Sequence, residues 1–127
     1  NNYKIPVLTA GKTFILGYTN EEVGIYKNVP VIIFDDFTTA NKYIDFPFKV
    51  KSSAMKILKT KNNSYNLRFI FEAMQLIRFE LGDEHKRFWI SEYSKIKIKI
   101  PSLLEQQKIA NFLSVIDKKI ELVDVQI

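Results

Sequence analysis

The last quarter of the chain constrains the fold more than any other stretch. From Ser102 to Ile127 there is no Gly or Pro, and Pro101 stands immediately before it. Ser102 and Glu105 have the S-x-x-E spacing of a capping box. In such a box the Ser hydroxyl accepts from the backbone N–H of Glu105, and the Glu carboxylate accepts from the N–H of Ser102. Apolar residues then fall at Ile109, Leu113, Ile116, Ile120, Val123 and Ile127, at intervals alternating between four and three. That is a heptad seam. A helix lying on its own body usually carries a broader apolar stripe, and here only Phe112 and Val115 widen it, in the first half. The spacing predicts a long coiled-coil-type helix over about 102–127 whose partner helix is not in this chain. Those six seam residues are the candidate partner-binding surface. The plainer alternative is a terminal helix docked on its own domain.

The residues before Pro101 read as an α+β body. Ile5 to Thr9 predicts a short strand, Ala10-Gly11-Lys12 a turn, Thr13 to Tyr18 a second strand and Val23 to Tyr26 a third. Val31 to Phe34 is a continuous apolar run and predicts a central strand buried on both faces, ending in Asp35 and Asp36. Thr38 to Tyr43 reads as a loop. Phe46-Pro47-Phe48 is unsuited to a central strand, because Pro has no N–H to donate. Lys49 to Lys59 reads as a bend and a strand. Leu67, Ile70, Met74, Ile77 and Leu81 step by three and four, which predicts a packed helix over about 65–81, stopped by Gly82. Lys95 to Ile100 alternates Lys with Ile and predicts a further strand. The expectation is a twisted, mostly antiparallel sheet with one packed helix, then the long helix. The chain begins almost inside a strand, as though an opening element were missing.

At 127 residues there is room for one domain with one core. No apolar run approaches the roughly 20 residues of a membrane span, and the N-terminus does not read as a signal peptide. Cysteine is absent, which excludes disulfides and thiolate chemistry and fits a reducing, cytoplasmic setting. The net charge of +5 suits a nucleic-acid partner, whose condensed counterions a basic surface releases.

No catalytic set stands out. Ala10-Gly11-Lys12-Thr13 resembles the end of a phosphate-binding loop, but Pro6 occupies the position of the required first Gly. Asp35 and Asp36 at a strand end, with Glu84 and Lys86, spell the parts of a metal-dependent nuclease. The alternative is that the two aspartates cap the turn that follows. His85 is the only histidine and has no Cys companions for a zinc site. No residue is assigned to a metal or to catalysis. Candidate DNA contacts are Lys12 and Thr13 in the first turn, Asn41, Lys42 and Tyr43 in a loop, and Lys86 and Arg87 in the charged segment 83–87. These side chains hold phosphates, address base edges or pack on sugars and bases. The Lys95, Lys97, Lys99 row reads first as the solvated face of an edge strand.

The run Ile98-Lys-Ile-Pro101-Ser-Leu-Leu-Glu105-Gln106-Gln107-Lys-Ile109-Ala-Asn-Phe-Leu113-Ser-Val-Ile116-Asp117 resembles the end of a target-recognition domain passing into the conserved helix of type I restriction–modification specificity subunits. Its most distinctive part is Pro-x-x-x-Glu-Gln-x-x-Ile-x-x-x-Leu-x-x-x-Asp. Val7 to Lys12 and Ser52 to Ile57 are looser matches to the body of the same domains. The resemblance implies a non-catalytic DNA-reading subunit, with 1–101 as a target-recognition domain and 102–127 as the start of a conserved helix. It implies double-stranded DNA, a modification (methyltransferase) subunit and a restriction subunit as partners, and S-adenosylmethionine, Mg and ATP as cofactors of those subunits rather than of this one. A homodimer through the C-terminal helix is a further expected assembly. Two readings compete: the metal-dependent nuclease, and a protein-interaction adaptor that does not bind DNA.

Overall fold

The computed structural model describes residues 3–9, 14–78, 89 and 92–126, with residues 120–126 described by backbone alone. The chain divides into two compact units, Asn1–Lys59 with Arg78–Lys97, and Thr60–Ile77 with Ile98–Ile127.

Among the described residues the first unit holds two three-stranded sheets. In one, β1 (Ile5–Leu8) lies between β2 (Ile15–Thr19), antiparallel to it, and β5 (Lys49–Val50), parallel to it. In the other, β3 (Val31–Asp35) lies between β4 (Asn41–Ile44) and β6 (Met55–Leu58), antiparallel to both. The single sheet expected from the sequence is therefore two. β5 is short: between Phe46 and Ser52 only Lys49 and Val50 join a sheet, and Phe48 makes a bridge to Tyr26 alone.

All five residues of β3 are buried, as its unbroken apolar run predicts. Val31 and Ile33 join Leu8, Phe14, Ile44, Phe48 and Met55 in the core. Phe34, on the opposite face, packs on Trp89 and Tyr93, with ring centroids 5.2 and 4.7 Å away. A strand covered on both faces has no place for polar alternation, which is why this segment reads as continuous hydrophobicity.

Three local expectations are corrected. Residues 41–44 are strand β4, not loop. The turn into β4 is held by Asp35: its Oδ1 accepts from Phe37 N at 2.9 Å and its backbone O from Thr39 N at 2.8 Å. Thr39 sits at φ 63°, a left-handed conformation costly for a β-branched residue, and neither Gly nor Asn is there to announce the hairpin. Residues 23–26 form no strand; only Tyr26 makes an isolated bridge, to Phe48. Residues 96–100 pair with no strand among the described residues, and Ile96 and Ile100 remain partly exposed. The Lys–Ile alternation there satisfies a strand pattern locally but finds no sheet edge.

The second unit contains α1 (Leu67–Met74) and α2 (Leu103–Gln126), which pack on each other. Asn66 caps α1, its Oδ1 accepting from Phe69 N at 2.8 Å. The helix is shorter than its apolar periodicity predicts. Leu76 N and Ile77 N donate to Ala73 O and Met74 O at 3.1 Å, so the last turn tightens to three-residue bonds. The Gln75 side-chain amide adds a bond to Phe71 O at 2.9 Å, beside the backbone bond from Gln75 N to the same oxygen at 3.3 Å. Gly82, the expected stop, lies outside the described residues. At the start of α2 the Ser102 hydroxyl accepts from Glu105 N at 3.3 Å, the expected cap. The Glu105 carboxylate lies 3.9 Å from Lys108 Nζ.

Candidate nucleic-acid interface and partner-facing helix

β4 is one of the two edge strands of its sheet among the described residues, and it carries Asn41, Lys42 and Tyr43. Successive strand residues point to opposite faces. Asn41 and Tyr43 are therefore opposite Phe34 and Ile32 on one face, and Lys42 is opposite Ile33 on the other. A loop would have allowed the three to converge; the strand separates them. Lys42 is exposed, while Asn41 and Tyr43 are half-buried. The Asn41 amide donates to Thr39 O at 3.0 Å, which ties the side chain to the hairpin turn. Lys12, Thr13, Lys86 and Arg87 lie outside the described residues, as do Glu84 and His85.

Asp35 and Asp36 have structural employment. Both are almost fully buried. The Asp35 carboxylate holds the turn described above. Asp36 Oδ1 accepts from Trp89 N at 2.7 Å, and its Oδ2 lies 4.0 Å from Lys56 Nζ. These carboxylates act as caps for the chain around them, the plain reading of a strand terminus. Sequence reasoning gave no signal for the Asp36–Trp89 link, since 53 residues separate its ends.

Two further groups have shifted titration. Glu21 pairs with Lys49 on β5, and the hydrogen bond and charge of Lys49 hold the Glu21 carboxyl below its ordinary pKa. Tyr93 is buried among Phe34 and Trp89, and that burial raises its phenol pKa.

On α2, the residues turned inward are Gln106 and Ala110, buried, and Leu103, Leu113 and Ser114, half-buried. Of the heptad seam, Ile109 and Ile116 are exposed and Leu113 is half-buried. Ile120, Val123 and Ile127 have no described side chains. Leu104, Phe112 and Val115 are also exposed, so an apolar arc on the first half of α2 lies open. Arg68 on α1 donates to Glu72 at 3.0 Å and pairs with Asp117 on α2.

The sheet unit thus holds buried acids that serve its structure, and the helical unit leaves an apolar arc open on the first half of α2. The chain belongs to the family of type I restriction modification DNA specificity domains, whose profile matches residues 1–127. It is similar to the specificity subunit of the type I restriction enzyme EcoR124I/EcoR124II of Escherichia coli, 56% identical over 105 residues that cover 80% of this chain and 26% of that subunit. The chain thus spans about a quarter of the length of that relative. No solved structure matches it. Membership of this family gives no support to the nuclease or to the adaptor without DNA binding.

Proposed function

We propose that this chain is a DNA sequence-recognition module of a type I restriction–modification specificity subunit, itself without catalytic activity. The match to the DNA specificity family along the whole chain carries this reading. The net charge of +5 supports it, because phosphate neutralisation supplies most non-specific affinity for a duplex. In this reading 1–101 recognises double-stranded DNA and 102–127 joins it to other subunits. Lys12, Thr13, Lys86 and Arg87 hold phosphates or base edges. Lys42 contacts phosphate from one face of β4, and Asn41 and Tyr43 address bases or sugars from the other.

The α2 seam (Ile109, Leu113, Ile116, Ile120, Val123, Ile127) forms a coiled coil with a helix of another segment or chain, a homodimer included. It docks a modification subunit that methylates adenine, and a restriction subunit joins for cleavage. The module needs no cofactor of its own; S-adenosylmethionine, Mg and ATP serve the partners in the cytoplasm.

Selection of random-sequence duplexes by the assembled subunit tests this. One short fixed sequence should be enriched, each mismatch costing about 1–3 kcal/mol. Recovery of unbiased sequence at moderate salt would sink the reading.

A further inference from the structure

Apolar packing does not by itself choose which side of α2 lies on α1. Around the first half of α2, Leu103, Leu104, Ala110, Phe112, Leu113, Val115, Ile109 and Ile116 spread over most of the circumference. Turning the helix by roughly 90° about its axis would bury Ile109 and Ile116 in place of Gln106 and Ala110. On hydrophobicity alone that turned state would be the better one. Yet the residue buried is an amide, Gln106, only 1% exposed.

Gln106 is fully occupied in this one orientation. Its Oε1 accepts from Asn66 N at 2.7 Å, at the cap of α1. Its Nε2 donates to Ser64 O at 3.1 Å and to Pro101 O at 2.9 Å. Turning Gln106 out to water would strip Asn66 N, Ser64 O and Pro101 O of these bonds and set apolar side chains over them, and covered backbone polar groups without partners are costly. Asp117 lies 11 residues further on, about three helical turns and so the same face, and there it pairs with Arg68 of α1. Two polar contacts at separate points along one face fix the rotation of a helix, as a buried polar residue fixes register in a coiled coil.

We propose that Gln106, seconded by the Arg68–Asp117 pair, is a positioning residue that locks the rotation of α2 on α1 and so holds Ile109 and Ile116 outward for a partner. Without the lock, α2 rolls and seals its own seam. The value of the outward seam to assembly rests on the function proposed above; the rotation itself does not.

The chain has no cysteine, so a single introduced thiol reports local exposure by its rate of maleimide labelling. In the full chain, Ile116→Cys should label fast and Ala110→Cys slowly. Adding Gln106→Leu should lower the ratio of the two rates about tenfold, a population shift of the kind two near-equal packings allow. Gln106→Glu keeps the acceptor for Asn66 N but sets a carboxylate oxygen against the Ser64 and Pro101 carbonyls, so it should lower the ratio at least as far. If Gln106→Leu does not fold, Asp117→Ala is the variant read, and it should shift the ratio in the same direction. An unchanged ratio in the folded variant overturns the proposal. Titration with the modification subunit then separates the two readings. Weaker binding by Gln106→Leu, beyond its unfolded fraction, supports the lock's role in assembly. Wild-type affinity in that variant overturns that role. No binding by the unaltered chain would instead count against the proposed function, leaving the labelling result to stand.

Discussion

Asp36 accepts a hydrogen bond from Trp89 N across 53 residues of sequence, and it ties two distant segments of the sheet unit together. Asp36→Ala removes that acceptor and the carboxylate beside Lys56. It should cost about 1–3 kcal/mol, read as a lower urea midpoint with an unchanged m-value. Asp36→Asn keeps an acceptor for Trp89 N and should cost less, which separates the hydrogen bond from the charge. Tyr93 predicts a pH effect. Burial raises its pKa above the ordinary 10.0, so as pH climbs past that value the unfolded chain releases the phenol proton before the folded one does. Stability should be unaffected by this group below pH 10 and should fall above it. Tyr93→Phe should flatten that alkaline slope in denaturation midpoints compared between pH 9 and 11. Residues of this kind were half legible. A pair of aspartates at a strand end announces capping, but which backbone N–H they cap depends on a chain segment far away in sequence.

At the scale of elements, α2 was the most legible and β4 the least. The Pro, the cap and the heptad spacing all lie within one continuous stretch, so local rules decide that a helix runs from Leu103 to Gln126. Segment 41–44 has Asn and Lys beside Tyr and Ile, a weak strand pattern, and becomes a strand because β3 offers it a ladder. The Lys–Ile alternation of 95–100 has the better pattern and, among the described residues, no ladder. Strand formation is thus decided by the neighbour and helix formation largely by the segment. The exposed part of the seam gives a prediction at this scale. Ile116→Asp should abolish or strongly weaken association with a partner helix, seen as a shift in sedimentation or light-scattering mass. It should leave the melting of the sheet unit within about 0.5 kcal/mol, since the side chain is exposed. Leu113→Ala, at a half-buried position on α2, should lower stability as well.

For the whole molecule, charge is the property that acts at a distance. Nineteen Lys and Arg against 14 Asp and Glu bias the surface toward phosphate, and some of those lysines are already engaged, Lys49 with Glu21 and Lys59 with the Asn28 carbonyl. Lys42 is exposed on an edge strand. Lys42→Ala should weaken duplex binding by a similar factor for all sequences and reduce the slope of log K against log salt by about 1. A change in which bases are selected would instead move Lys42 into the base-reading set. The amino-acid sequence by itself determined the helix that ends this chain, its cap, the doubly buried strand β3 and the absence of thiol chemistry, because each rests on residues close together or on composition. Tertiary structure alone decided the division into two sheets, the strand identity of β4, and which side of α2 faces α1. Those outcomes depend on hydrogen-bond partners outside the segment, from 7 residues away for Phe34 and Asn41 to 40 for Asn66 and Gln106, and periodicity within a segment carries no information about which partner arrives.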